Sequence, residues 1–332
     1  MTKLKVGMIS FAHGHAHSYL KSLLELPEVE IVGIADEKSS RVESVVSKHG
    51  LRYFADYQEL LKTDADAVVI CSENVNHAGQ VIAAAEAGKH VLCEKPLGLS
   101  VAEMERMIEV CETNGVQLMT AFPCRYLAAV AKAKKAVEQG EIGEILAIKG
   151  TNRGTAPGGW FTEPGLSGGG ALLDHTVHVM DLMNWFTGSK VTDVYAYCNT
   201  LFHEGLEVDD AGMIHVKFAN GTIGVLDTSW SRPKSFPTWG DVTMEIIGSK
   251  GHLSIDAFAQ SNMLYSDSLG KGVSMFYGDP MDFYMVKAFV HALLAGESVP
   301  ITGLDGLRST EVALAGYRSV KQGESVAISY DQ

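Results

Sequence analysis

The run Lys5-Val6-Gly7-Met8-Ile9, followed by Ser10-Phe11-Ala12-His13-Gly14-His15, decides the reading of the fold. A short apolar strand enters a small-residue turn, and from His15 to Leu26 an amphipathic helical pattern runs to Pro27. The alternation then repeats. Val29 to Ala35 reads as a strand, and Ser39 to His49 as a helix with Gly50 just past its end. Ala67 to Cys71 is a buried strand, Asn76 to Ala87 an alanine-rich helix closed by Gly88, and His90 to Cys93 a further strand. Ser100 with Glu103 forms a capping-box pattern opening the next helix, and Val116 to Phe122 is strand-like again. Repeated β-α-β units with near-continuous apolar strands specify a doubly wound parallel sheet covered by helices on both faces.

The pattern changes near residue 123. Leu127 to Gln139 reads as a helix leading to a strand at Ile145–Lys149, then Gly154 to Gly170 is glycine-rich and irregular. A helix is expected from about Asp174 to Phe186. Strand-like alternation follows at Val191–Tyr197, Gly212–Phe218, Gly221–Ser229, Val242–Gly248 and His252–Asp256, with Asn220-Gly221 as a hairpin signal. Phe283–Leu294 and Leu307–Val320 read as helices. The expectation is α/β: a Rossmann domain over 1–123, then an α+β domain over 124–332 with an open, mostly antiparallel sheet.

Composition narrows the function. The 332 residues are 46% hydrophobic and 20% charged, within the range of a chain that buries a real core. Lys and Arg number 27 against 40 Asp and Glu, giving −13, which argues against nucleic acid and anionic membranes as partners. Cys71, Cys93, Cys111, Cys124 and Cys198 are scattered, odd in number and without a CxxC pair, so reduced thiols in a cytoplasmic protein are expected. The N-terminus enters a strand pattern with no leader-like stretch, and no apolar run reaches the length of a membrane span.

In a parallel α/β sheet, ligands bind beyond the C-terminal strand ends. The first turn, Ser10 to His15, stands where a dinucleotide fold brings backbone amides and a helix N-terminus to a pyrophosphate. Ser10 and Ala12 hold the places of the first two glycines of GxGxxG, and His15 stands near the third. That loop is compatible with a cofactor cradle and with an ordinary strand-to-helix turn. Asp36 ends the second strand, where a carboxylate accepts from ribose hydroxyls and disfavours a 2′-phosphate, so NAD is preferred with NADP as the alternative. Lys38 and Arg41 follow closely. Ser72, Glu73 and Asn74, with His77 opening the next helix, are expected to line the nicotinamide side. Glu94-Lys95-Pro96 places an acid and a base side by side after a strand, a poor choice for a mere surface turn.

The run Ala87-Gly88-Lys89-His90-Val91-Leu92-Cys93-Glu94-Lys95-Pro96 resembles the AGKHVxxEKP motif of the glucose–fructose oxidoreductase / inositol dehydrogenase / rhizopine-catabolism (Gfo/Idh/MocA) oxidoreductases. Gly168-Gly169-Gly170 followed by Asp174 and His178 resembles that family's second mark. Gly140-Glu141-Ile142-Gly143 and Leu304-Asp305-Gly306-Leu307 are similar to further family positions, so the resemblance spans nearly the whole chain in order. It implies NAD(P), a sugar, polyol or related alcohol as substrate, and a homodimer or homotetramer. It also implies Lys95, Asp174 and His178 as the catalytic trio, with Arg125 near the cofactor. This chain departs from the family in lacking its first-loop glycines and in carrying His175, where a neutral residue is usual.

The chemistry of those residues suits hydride transfer. Asp174 and His178 lie one helical turn apart on one face. His178 is expected as general base, Lys95 as hydrogen-bond donor to the same oxygen, and Asp174 as the group that orients the histidine or binds a neighbouring hydroxyl. Lys95 and His178 are expected to converge on that oxygen. His175, Asn152 and Arg153 are candidates to touch substrate. Trp160 can stack on a sugar face or anchor its loop. Two other readings remain: a metal-dependent hydrolase built on His13-Gly14-His15-Ala16-His17 and Asp174-His175-Thr176-Val177-His178, and a non-catalytic NAD-binding regulatory protein. The strand order favours the oxidoreductase, with no resident metal.

Overall fold

The computed structural model describes residues 3–329, which form two compact units. The first holds the chain to Pro123 together with Asp282–Leu307, and the second holds Cys124–Met281 with the segment from Arg308 onward.

The first unit opens with β1 (Leu4–Ile9), α1 (His15–Leu24), β2 (Val29–Ala35), α2 (Glu43–His49), β3 (Tyr53–Phe54) and α3 (Tyr57–Leu61). It continues with β4 (Ala67–Ile70), α4 (His77–Glu86), β5 (His90–Cys93), α5 (Val101–Thr113) and β6 (Leu118–Thr120). The six strands are all parallel, in the order β3-β2-β1-β4-β5-β6. This is the order of a dinucleotide-binding fold, reversing between β1 and β4. Every residue of β4 is inaccessible to solvent, because helices cover both faces and neither side chain parity can be polar. The Ser100–Glu103 capping box forms as expected, and Gly50 closes α2 in the left-handed conformation.

The second unit contains α6 (Ala128–Glu138), β7 (Ile145–Gly154), the single turn α7 (Pro164–Ser167) and α8 (Ala171–Thr187). Then come β8 (Val191–Asn199), β9 (Ala211–Phe218), β10 (Ile223–Ser229), β11 (Gly240–Gly248), β12 (His252–Asp256) and the hairpin β13 (Ser261–Ser266) and β14 (Lys271–Phe276). The chain ends with α9 (Met281–Ala295), α10 (Gly303–Gln322) and β15 (Val326–Ala327). The large sheet runs β12-β11-β7-β10-β9-β8-β15, antiparallel except for the β7–β10 pair. Helix α8 is buried around almost its whole circumference, packing on β7, β9 and β10. The other sheet face is open, with Tyr197, Met213 and Ile223 exposed.

Two features differ from the sequence expectation. Segment 282–307, read as part of the second domain, packs with the first unit: Met119 bridges Thr302, and the Thr120 amide donates to the Ile301 carbonyl. Helical periodicity shows that a face is buried, not against which partner. Strands β3 and β15, of two residues each, are too short for a period-2 pattern, and both strands of the β13–β14 hairpin are mostly exposed and carry no in–out alternation.

Candidate active site

The C-terminal ends of β1, β2 and β4 frame a cavity of about 230 Å³, its wall including Ser10, Ala35, Asp36, Tyr57, Glu73 and Asn76. This is where the topological reversal places the adenosine half of a dinucleotide. Ser10 leaves β1 with φ +65°, a left-handed conformation that turns the loop sharply across the strand end. The loop amides are already directed inward. That of Phe11 donates to Asp36 Oδ2 (2.7 Å), Ala12 to Ser10 Oγ (3.2 Å), His13 to the Cys71 carbonyl (2.9 Å) and His15 to His13 Nδ1 (3.1 Å). Side chains and strand ends thus do the bracing that glycines do elsewhere, while Gly14 stays exposed at the start of α1.

Asp36 is fixed rather than loose. Its second oxygen accepts the Lys38 amide at 2.8 Å, and the residue forms part of the cavity wall. An NAD adenosine fits this cradle: small loop residues, an acceptor pair at the end of β2, and space above.

Glu94 is fully buried at the end of β5. Burial alone would raise its carboxyl, but the flanking imidazoles of His13 and His15 and the hydrogen bond from His15 Nδ1 (2.9 Å) hold it well below the usual carboxylate range. The same partnership raises His15 against the opposing effect of its own burial. His13, His15 and Glu94 bring three ligand atoms within 4.8 Å of one another. Because His13 Nδ1 accepts the His15 amide, the proton of that ring stands on Nε2. The Glu94 oxygens accept from His15 and the Lys95 amide (3.1 Å), so these side chains are engaged in holding the loops after β1 and β5 together.

Lys95 follows, buried, joined to Pro96 by a cis peptide bond. His77 does not face the cofactor cleft as expected. Its ring is wholly buried, with Nδ1 2.9 Å from the Pro96 carbonyl and Nε2 3.3 Å from the Ser72 carbonyl, so it ties the loop after β4 to the loop after β5. Burial holds its ring below the ordinary histidine range, outweighing those carbonyls. Ser72 and Asn74 are buried in that loop, whereas Glu73 turns toward the end of β2 and meets Arg41. Glu73 thus lines the cavity at the ends of β1, β2 and β4.

In the second unit, the glycine run delivers α8. Gly170 lies against residue 209, whose carbonyl accepts the Ala171 amide (2.9 Å) and whose carboxylate accepts the Leu172 amide (2.7 Å). A Cβ on Gly170 would stand 1.9 Å from that carbonyl oxygen, so only glycine permits the approach. Asp174 and His178 follow one turn apart. Asp174 Oδ2 accepts Trp230 Nε1 (3.2 Å) and lies 3.3 Å from His175 Nε2, while His175 Nδ1 donates to the Asn152 carbonyl (3.0 Å). His175 is thus a brace between β7 and Asp174, packed where Gly154 leaves room for it, rather than an open substrate contact. His178 is buried further along the same helix face. One turn further, Asp181 receives Arg125 through two bonds of 2.8 and 2.5 Å. Arg125, expected at the cofactor, is engaged in orienting α8.

The strand pleat separates two further candidates. Asn152 and Gly154 face α8, so Arg153 points to the opposite, open face of the sheet, pairing with Asp241 (3.1 Å) and Asp227 (3.8 Å). Arg153 therefore does not share the Asp174–His178 side of its unit. Asn152 does, fully buried, with Nδ2 donating to the Asp241 carbonyl. Trp160 is 9% exposed and stacks on Phe161 at 3.9 Å, and Phe161 packs on the Ala171–Val208–Trp230 cluster, which makes it a loop anchor.

Residues 4–122 match an oxidoreductase family with an NAD-binding Rossmann fold, and residues 130–254 match the GFO/IDH/MocA C-terminal domain. The chain belongs to the Gfo/Idh/MocA oxidoreductases, a class of NAD-binding enzymes. It is 31% identical to an uncharacterized oxidoreductase, YrbE, of Bacillus subtilis, covering 100% of this chain and 99% of that one. It is 30% identical to the myo-inositol 2-dehydrogenase of Thermotoga maritima over 98% of each. The crystal structure of a probable dehydrogenase from Thermotoga maritima superposes with a TM-score of 0.85 at 28% identity, over 98% of both chains. Among the described residues no helix is long and apolar enough to cross a membrane.

Proposed function

We propose that the protein is an NAD-dependent dehydrogenase acting on a hydroxyl-bearing carbon of an inositol, sugar or related polyol, with Lys95, Asp174 and His178 as its catalytic residues. The observation that carries this reading is the start of α8: a partly buried Asp174 and a buried His178 one turn apart, held by the 209 segment on one side and the Arg125–Asp181 pair on the other. Side chains locked in this way are what positioned acid–base chemistry needs. The myo-inositol 2-dehydrogenase relative supports a polyol as substrate.

Nicotinamide, when bound, supplies the hydride acceptor. In this reading the Lys95 ammonium donates to the substrate hydroxyl oxygen and steadies its developing negative charge. His178 takes the hydroxyl proton. Asp174, oriented by Trp230 and by His175, accepts a neighbouring hydroxyl. Asp36 accepts from the adenosine ribose. The hydrogen-bonded state of His13 and Glu94 supports this reading over a metal-dependent hydrolase. The exposed apolar residues of the open sheet face support assembly into a homodimer or homotetramer, which sedimentation velocity measures.

The test is a panel of inositols, aldoses and acyclic polyols with NAD or NADP, followed at the absorbance of reduced nicotinamide. Turnover of one polyol class, lost in Lys95→Ala, supports the proposal. NAD binding without reduction of the cofactor across the panel would instead identify a regulatory protein.

A further inference from the structure

The adenosine end of the first unit carries a charge arrangement that a ribose-binding aspartate alone does not require. Arg41, from the turn after β2, extends its guanidinium between two acids. Nη2 donates to Glu73 Oε1 at 2.7 Å, and Nη1 lies 3.6 Å from Asp36 Oδ1. Glu73 comes from the loop after β4, 32 residues away in sequence. It is 5% exposed, and its other oxygen accepts Asn76 Nδ2 at 3.2 Å. Burial would push the Glu73 carboxyl up, but hydrogen bonds from backbone, Arg41 and Asn76 and the Arg41 charge keep it below its ordinary value, hence ionised at neutral pH.

An arginine just beyond the second strand is the group that in dinucleotide folds takes up a 2′-phosphate. Here that cation is already matched by two carboxylates, and the trio carries net −1. A 2′-phosphate brings a charge of about −1.5 to −2 into the same space. Binding it would require stripping Arg41 from a buried partner, leaving Glu73 charged without its cation.

We propose that Glu73 is a cofactor-specificity residue: by holding Arg41 it withholds from NADP the cation its 2′-phosphate needs, so that NAD is selected by this lock in addition to Asp36. The inference rests on the NAD-dependent reading of the site. It assigns Glu73 a role through Arg41, that of a positioning residue.

The test uses binding of adenosine fragments to the full chain, which needs neither substrate nor turnover. Affinities for 5′-AMP and 2′,5′-ADP are measured by calorimetry, alongside kcat/KM for NAD and NADP. Wild type should favour 5′-AMP. Glu73→Gln, which keeps the shape and removes the charge, should shift the ratio toward 2′,5′-ADP by about tenfold or more, the value of one released arginine–phosphate contact. Glu73→Ala should shift it in the same direction, guarding against a poorly folded Gln variant, and melting curves confirm folding of each. Adding Arg41→Ala to Glu73→Gln should abolish the gain. An unmoved ratio in both Glu73 variants, a gain that survives Arg41→Ala, or a wild type favouring 2′,5′-ADP would each overturn the inference. NAD turnover with an unmoved ratio overturns the lock alone, whereas a protein binding neither fragment nor NAD removes the cofactor reading itself.

Discussion

Replacing Gly170 by alanine tests whether the entry to α8 is as tight as its geometry indicates. The new Cβ would fall 1.9 Å from the Asp209 carbonyl oxygen and 2.8 Å from its carbonyl carbon and amide nitrogen, all backbone atoms that no rotamer change can move. The helix start must separate from the 209 segment. Two short bonds are then lost, Ala171 N–H to the carbonyl and Leu172 N–H to the carboxylate, while the Gly170 amide, 3.3 Å from Asp209 Oδ1, keeps its bond to the Tyr317 hydroxyl. The first is worth about 0.5–1.5 kcal/mol and the second, charge-assisted, about 1.5–3. The reduced freedom of an unfolded alanine returns about 0.4–1 kcal/mol. The net cost is about 2.5 kcal/mol, which for 332 residues lowers the melting temperature by roughly 3–4 °C. Because Asp174 and His178 ride on the first two turns, turnover should fall by about 10²-fold if a shift near 1 Å is transmitted. The control is Gly165→Ala, whose Cβ meets no atom within 4 Å and which should melt like wild type. Differential scanning calorimetry of the two variants decides the matter. A Gly170→Ala protein melting within about 1 °C of wild type would refute the claim that this contact sets the helix.

Other outcomes are expected. Lys95→Ala should melt normally yet lose turnover, measured with the best polyol, and retained activity would remove Lys95 from the chemistry. His178→Ala should lower kcat by about 10²–10⁴, the usual contribution of a positioned proton acceptor, and an unaltered kcat argues against that role. Asp181→Ala strips the cation partner from buried Arg125 and should cost about 3–5 kcal/mol in urea denaturation. The Glu94–His15 pair makes stability depend on pH with opposite signs. The lowered Glu94 carboxyl stabilises above its unfolded value of about 4.3 and loses that effect as acid protonates it. The raised His15 stabilises below about 6.5 and loses its share as pH climbs through its folded value. The melting-temperature gap between wild type and Glu94→Gln should therefore be widest from about pH 5 to 6.5 and narrow on either side. A gap constant from pH 4 to 8 counts against the pair.

Much of this was legible in the sequence because it is local. The strand–helix alternation from Lys5 to Phe122 follows from runs of apolar residues, and the glycine stop, the capping box and the glycine-led helix are each written within a few positions. What escaped is non-local. Nothing near Arg41 indicates Glu73, since only the adjacency of β1 with both β2 and β4 brings their following loops together. Arg125 reads as a free cation until folding brings Asp181 opposite it. The facing of Arg153 depends on strand parity, which a glycine-rich stretch with few apolar markers does not reveal. His77 and His175, polar residues beside a cleft, proved to be ties, His77 between two loops and His175 between β7 and Asp174.

The return of residues 299–303 to the edge of β6 bears on how the molecule is made. During synthesis the nucleotide half emerges first, yet its last strand waits for Thr302 and its neighbours, 183 residues downstream of Met119 at their bridge. Until then the nascent sheet presents a bare rim. A gene fragment ending at Pro123 should yield a sticky, incompletely closed product, and one that splices 282–307 back on should not.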